Sequence, residues 1–312
     1  MNTNEDVPDA LSSAHRTRVG AQHGVPHSAG PHLRYPSSSV QAALRQSAGQ
    51  LQEVTDIPRL EAEVLLAHVL QSSRTTLLAH PEQALSADQF WRYADIVRQR
   101  STGYPLPYLT GTAEFYALSF EVTPEVLIPR PETEILVDLA LARRPTCVVD
   151  VGTGSGCIAI ALAAHLPEAQ ITGIELSPAA LAVAQRNAER HGVADRIQWI
   201  VGDVLVPRPG PADLIVSNPP YVRTSEMATL PVSVRSYEPA VALDGGADGL
   251  VTIRQLLNQA PAVLGPDGCL LMEIGVDQAE AAIDLARTAF PQAQIYIHPD
   301  LAGHDRVLEV SL

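Results

Sequence analysis

Thr146-Cys147-Val148-Val149-Asp150-Val151 runs directly into Gly152-Thr153-Gly154-Ser155-Gly156 and then into an Ala-rich stretch over 157–165. The first part is a short apolar, β-branched run, which predicts a strand. The glycine turn and the helical stretch behind it complete a strand–turn–helix unit. In open α/β sheets ligands bind in the crevice at the carboxyl ends of the strands. Three glycines at that point let backbone approach a ligand closely. A Gly-rich turn alone is a weak signal, since a turn can also be only a turn.

Outward from this unit, strands and helices alternate from Pro131 onward. Residues 171–175, 197–201, 214–217 and 269–274 read as strands, and 179–190, 250–264 and 278–290 as helices. Residues 295–298 and 306–310 read as a final strand pair. Such alternation predicts a doubly wound α/β domain with a mainly parallel sheet.

Glu175 ends the second strand, 19 residues after Gly156. A carboxylate there offers acceptors to both hydroxyls of a ribose, in a nicotinamide dinucleotide or in S-adenosylmethionine. The turn reads GxGxG rather than the GxGxxG of the dinucleotide fingerprint. A methyltransferase needs no pyrophosphate cradle, and its glycine turn accommodates the methionine part of the cofactor. Asp203 ends the third strand, where its carboxylate would accept an exocyclic amino hydrogen of adenine, with Val204 packing on the ring. A plain turn or cap role for Asp203 is the alternative.

Asp213-Leu-Ile-Val-Ser-Asn218-Pro219-Pro220-Tyr221 is the most specific signal in the chain. Two prolines fix φ and remove two donors, and each also restrains the residue before it. The turn is therefore stiff, and its carbonyls are free to accept. A planar NH2 group suits it. The Asn218 side-chain oxygen can take one hydrogen and the Pro219 carbonyl the other, while Tyr221 offers a flat stacking surface. Attack on a sulfonium methyl needs positioning and exclusion of water more than a strong base. His165 and His191 read as surface or helix-capping residues. The turn by itself does not choose between adenine and a glutamine amide.

The remainder of the chain bounds the possibilities. Its 312 residues exceed one average domain. Residues 1–38 are rich in Ser, His, Pro, Gly and Ala and read as a disordered, solvated tail. Residues 40–101 are helical in pattern, with Leu60, Val64, Leu65 and Val69 at helical spacing. Ser86 and Gln89 read as a capping box. Residues 103–130 are rich in turn signals, and 114–122 predict a β-hairpin. No apolar run reaches the roughly 18–20 residues of a membrane span, and the polar N-terminus does not read as a secretory signal. Cys147, Cys157 and Cys269 are expected to be buried free thiols in a reducing, cytoplasmic setting. No metal-ligand spacing is present, so no metal is expected. With 35 acidic against 21 basic residues the net charge is −14. That balance argues against direct DNA binding and leaves room for a basic protein partner.

With these residues in view, the chain over roughly 40–312 resembles the HemK/PrmC family of protein-(glutamine-N5) methyltransferases. The resemblance is carried by Pro107-Tyr-Leu-Thr-Gly111, Leu127-Ile-Pro-Arg130-Pro-Glu132-Thr-Glu134, the glycine turn, and Asn218 to Tyr221. Tyr237-Glu238-Pro239, Asp244-Gly-Gly-Ala-Asp-Gly249 and Asp305-Arg306-Val307 also carry it. It implies a class I S-adenosylmethionine-dependent methyltransferase fold with a seven-stranded, mainly parallel sheet. The expected organisation is a tail over 1–38, a helical N-terminal domain over 39–102, a linker with a β-hairpin over 103–130, and a methyltransferase domain over 131–312. It implies methylation of the glutamine of the Gly-Gly-Gln motif in class I peptide chain release factors. Gly152, Thr153, Gly154, Ser155, Gly156, Glu175, Asp203, Val204 and Asn218 are then expected to hold the cofactor. Asn218, Pro219, Pro220 and Tyr221 are expected to hold the glutamine amide, with Arg130 and Glu132 in the wall beside them. Position 175 is Glu where Asp is common, and 204 is Val where a larger residue can stand.

Two other readings share the Asn218–Tyr221 turn. A DNA N6-adenine methyltransferase would need a basic DNA-reading surface. A glutamine methyltransferase of a ribosomal large-subunit protein would differ after Pro129-Arg130. A fold without catalysis, serving only as a binding module, would not need intact glycine, carboxylate and Asn-Pro-Pro-Tyr elements.

Overall fold

Ser39 opens the first helix, its hydroxyl accepting from the Ala42 amide at 3.3 Å. The computed structural model describes residues 39–312 apart from 208 and 209. The tail expected over 1–38, with His15, His23, His27 and His32, lies outside the described residues. The helical segment comprises α1 (Val40–Leu51), α2 (Pro58–Leu70), α3 (Arg74–Ala79), α4 (Ala87–Ser101) and the short α5 (Leu106–Thr110). The capping box at the start of α4 forms in both directions, Gln89 N to Ser86 Oγ at 3.2 Å and Ser86 N to Gln89 Oε1 at 2.9 Å. Leu44, Leu51, Leu65, Leu66 and Val97 fill the bundle interior. Arg100 crosses it to make a buried ion pair with Glu61 at 2.7 Å. Helix α5 falls in the stretch that the turn signals marked as irregular. Pro107 stands in its first turn, where a missing N–H costs nothing, and Gly111 ends it in the left-handed conformation.

A hairpin follows, β1 (Thr112–Phe115) against β2 (Leu118–Glu121), with Phe115 opposite Leu118. The two-residue turn places Tyr116 and Ala117 at φ 50° and 57°, a conformation usually left to Asn or Gly. Tertiary contacts hold it there. Glu134 Oε1 accepts from the Tyr116 amide at 2.7 Å, and Asp138 Oδ1 from the Tyr116 hydroxyl at 2.7 Å.

A 3-10 turn (Pro131–Thr133) leads into α6 (Glu134–Arg143), a helix that the sequence pattern did not single out. Then come β3 (Cys147–Val151), α7 (Cys157–His165), β4 (Gln170–Glu175), α8 (Pro178–Arg190), β5 (Ile197–Val201) and β6 (Ala212–Ser217). After the short α9 (Val232–Arg235) come α10 (Val251–Gln259), β7 (Leu264–Glu273), α11 (Ala279–Ala289), β8 (Gln294–Pro299) and β9 (Asp305–Ser311). The single helix expected over 250–264 stops at Gln259. Pro261 cannot donate to a continuing helix, so the chain makes one 3-10 turn and enters β7.

The seven-stranded sheet runs β5-β4-β3-β6-β7-β9-β8. Its first five strands are parallel, and β9 is antiparallel to both neighbours. This is the class I methyltransferase topology. Both faces are apolar. Val148, Leu214, Val216 and Leu271 face one core with α6 and α7, while Val149, Ile215, Leu270 and Met272 face the other with α10 and α11. Burial on both faces is why these strands read as continuous apolar runs rather than alternating ones. The strand order reverses at β3, so the crevice opens where β3 and β6 diverge.

Candidate active site

The glycine turn leaves the end of β3 with Gly152, Gly154 and Gly156 at φ 71°, 55° and 81°. A Cβ on Gly152 would meet nothing within 4 Å, and one on Gly154 only a carbonyl at 3.9 Å. The backbone there fronts open space, and both residues line the cleft. Gly156 serves another purpose. A Cβ on it would lie 2.9 Å from Ile160 and 3.1 Å from Ala184, so it lets α7 pack against α8. Thr153 and Ser155 are buried. Thr153 donates to Asp150 Oδ2 at 2.6 Å, and Asn187 of α8 donates to the Ser155 carbonyl at 2.9 Å. These three expected cofactor residues therefore shape the turn from behind, and the wall of the cleft is formed by Gly152 and Gly154.

Glu175 stands across from them. Its Oε2 accepts from the Gly154 amide and its Oε1 from the Ser177 amide, each at 2.9 Å. A carboxylate has about four acceptor positions, so capacity remains toward the cleft. Asp203 and Val204 also line it, Asp203 exposed and Val204 buried at φ 51°. Leu176, Ala180 and Val241 make its apolar side. Open glycine backbone, a carboxylate with spare acceptors and an apolar slot with a rim carboxylate fit the amino-acid, ribose and adenine parts of S-adenosylmethionine. Asp150 lies beneath, fully buried, with Oδ1 unpartnered. Burial pushes its carboxyl up to about 7, against the pull of the Thr153 hydroxyl and the Ala159 amide, which donate to it.

Asn218 to Tyr221 leave the end of β6. Asn218 and Pro219 line the cleft and also a smaller adjoining recess walled by Leu127, Arg130, Tyr221 and Leu243. The turn is thus shared by the two spaces. Pro220 belongs to the cleft and Tyr221 to the recess. Among the described residues, nothing donates to the Asn218 Oδ1 or to the Pro219 carbonyl. Arg130 reaches back to Glu238, Nη2 to Oε1 at 2.5 Å, and Glu238 Oε2 accepts from the Ile128 amide at 3.1 Å. Glu132 is exposed and lines neither space, and its side chain is in no ion pair or side-chain hydrogen bond found among the described residues.

Further residues around the turn had no role assigned from the sequence, and one of them, Glu273, lay outside every motif quoted. Glu273, at the end of β7, is 1% exposed. It accepts from Thr133 Oγ1 at 2.6 Å and from the Tyr221 hydroxyl at 3.1 Å, and Thr133 accepts from Asn218 Nδ2 at 3.0 Å. Burial raises the Glu273 carboxyl, while Thr133, Arg306 and Tyr221 draw it back down. A charge closing the apolar run Cys269-Leu-Leu-Met was the available signal. Gly245 and Gly249 explain the glycine-rich stretch 244–249. A Cβ on Gly245 would lie 2.8 Å from the Pro220 carbonyl, and one on Gly249 2.5 Å from that of Tyr221. Tyr237 meets Tyr104 edge to face at 4.9 Å, joining the segment beside the recess to the helical segment.

His165 bonds the Ala161 carbonyl at 2.8 Å in the last turn of α7, and His191 the Ser119 carbonyl of the hairpin at 2.9 Å. Both act on backbone away from the cleft. The cysteines are free, but only Cys269 is fully buried, with Cys147 and Cys157 partly exposed. Among the described residues no group of three or more His, Cys, Asp or Glu could hold a metal ion. No helix among them is long and apolar enough to cross a membrane.

Residues 42–111 match the PrmC N-terminal domain family, and 131–234 the methyltransferase small domain family. A Moorella thermoacetica protein named release factor glutamine methyltransferase is 46% identical over 85% of this chain and 94% of its own length. A Geobacter sulfurreducens protein of the same name is 45% identical over 80% of this chain and 88% of its own. A third, from Nitratidesulfovibrio vulgaris, is 38% identical over 87% and 94%.

Proposed function

The chain belongs to the release factor glutamine methyltransferases, and on that premise we propose that it moves a methyl group from S-adenosylmethionine to the side-chain amide nitrogen of the Gly-Gly-Gln glutamine in class I release factors. The observation that carries this is the pair of unclaimed acceptors, Asn218 Oδ1 and the Pro219 carbonyl, at the junction of cleft and recess. In this reading Gly152, Gly154, Glu175, Asp203 and Val204 hold the cofactor, and Thr153, Ser155 and Gly156 support the turn. Bound there, S-adenosylmethionine supplies an electrophilic methyl on a positively charged sulfonium. Asn218 and Pro219 accept the two amide hydrogens from one side, which turns the nitrogen lone pair toward the methyl. Tyr221 stacks on the amide plane, and Leu127 and Leu243 keep water out. No side chain need act as a strong base: the N–C bond would form as the S–C bond breaks, leaving the cofactor as a neutral thioether, and the acidic extra proton on the methylated nitrogen, held by the Asn218 or Pro219 oxygen, would pass to solvent as the product leaves. Catalysis rests on orientation and desolvation.

Arg130 fits a role in the recess wall, fixed by Glu238, whereas Glu132 fits a surface contact with the protein substrate. The division into a helical domain over 39–102, a linker over 103–130 and a catalytic domain over 131–312 belongs to the same proposal, as does a cytoplasmic setting. A labelled-methyl transfer assay offering purified release factor, large-subunit ribosomal protein and DNA side by side tests the reading. Label on the release factor glutamine is expected. Label on the ribosomal protein or on DNA alone would overturn it.

A further inference from the structure

We propose that Thr133 and Glu273 are positioning residues that decide which end of the Asn218 side-chain amide faces the substrate. The inference rests on the functional reading above and adds a device to it. An asparagine amide can sit in either of two orientations of almost equal shape, one presenting oxygen and the other nitrogen. Only the oxygen can accept from a substrate NH2. Presenting the nitrogen would set donor against donor.

The chain of partners removes the ambiguity. Glu273 is buried at the end of β7, next to β6, whose end carries Asn218. Both Glu273 oxygens are acceptors, Oε2 from the Thr133 hydroxyl and Oε1 from the Tyr221 hydroxyl. The single proton of Thr133 is therefore committed to Glu273, at 2.6 Å. Thr133, 2% exposed, then has only lone pairs left for Asn218, and the partner it meets at 3.0 Å is Nδ2. Oδ1 is turned the opposite way, where no protein group donates to it among the described residues. The other oxygen of Glu273 accepts from the Tyr221 hydroxyl at 3.1 Å. One buried carboxylate thus holds both ends of the Asn218–Tyr221 turn. Thr133 comes from the 3-10 turn Pro131–Thr133, so the segment that follows the linker acts on the Asn218 amide through this hydroxyl.

The test compares Thr133→Val, Thr133→Ala and Thr133→Ser in the full chain, by methyl transfer to purified release factor. Calorimetry of S-adenosylmethionine binding and a melting curve accompany each. Loss of the hydroxyl in the Val or Ala variant is expected to lower kcat roughly 10–100-fold, with cofactor affinity kept. Thr133→Ser, which retains the hydroxyl, should restore turnover. A role in packing alone would lower the melting temperature without this split between kcat and cofactor binding, and would not follow the hydroxyl. If Thr133→Val does not fold, Thr133→Ala carries the same comparison with a smaller side chain. Normal kcat in either folded variant, or an equal loss in all three, would overturn the inference while the functional reading stands. Absence of transfer by the wild-type enzyme to release factor would overturn both.

Discussion

The Glu175 carboxylate takes the Gly154 amide at 2.9 Å, tying the end of β4 to the glycine turn that leaves β3. The side chain proposed to meet the ribose is thus also the one that holds the turn in place. Its second oxygen takes the Ser177 amide at the start of α8.

Glu175→Ala therefore removes a ligand contact and a support of the turn together. Charge-assisted hydrogen bonds of this kind are worth about 1.5–3 kcal/mol, so cofactor affinity should fall at least about tenfold. Isothermal calorimetry with S-adenosylmethionine measures it, and unchanged affinity would reject the role.

Asn218→Ala deletes one of the two acceptors at the junction of cleft and recess. Loss of one preorganised polar group at a reacting centre costs roughly 10²–10³ in turnover. The expected result is that fall in kcat for release factor methylation. Near-wild-type turnover would exclude the amide clamp.

Gly249 and Gly303 both adopt positive φ, 74° and 85°, but only Gly249 is hemmed in. Alanine at 303 meets nothing within 4 Å and should cost only the local strain of about 1–2 kcal/mol. Alanine at 249 would press on the Tyr221 carbonyl and the Gln278 amide, both at 2.5 Å, and displace the turn. Gly249→Ala should lose turnover as well as stability, and Gly303→Ala stability alone. Equal kcat in the two variants would contradict this account of the 244–249 stretch.

Asp150 sets a pH dependence of stability. Burial pushes its carboxyl up to about 7 in the folded chain, against about 3.9 when unfolded. Between these values the unfolded state has released its proton and the folded state has not. The contribution is full below about pH 4 and is lost as pH rises through about 7, by up to ~1.4 kcal/mol per unit. Thermal melts of the ligand-free protein should show Asp150→Asn with a flatter dependence than wild type across that window. Parallel curves for the two proteins would count against the buried acid.

How much of this was legible in the chain depends on the range of the determinant. The strand of Val148 and Val149, the glycine turn, the Ala-rich α7, the capping box at Ser86 and the stiff Asn-Pro-Pro-Tyr turn are dictated by near neighbours. Burial preference, proline and glycine dihedrals and helix capping all act within a few residues. Those features gave the order of elements, the crevice and the residues on its rim. The left-handed turn at Tyr116-Ala117 carried no such mark, because its support comes from Glu134 and Asp138 on α6. Glu273 meets Thr133 across 140 positions of sequence, and Asn218 meets Thr133 across 85. These partners exist only because the sheet order sets β7 beside β6 and the 3-10 turn Pro131–Thr133 packs at their carboxyl ends. Near-neighbour chemistry alone marked the polar groups expected at the rim of the crevice. The tertiary structure decided which atoms of that rim face inward, since a hydroxyl proton and an amide orientation are set by partners that only the assembled sheet supplies.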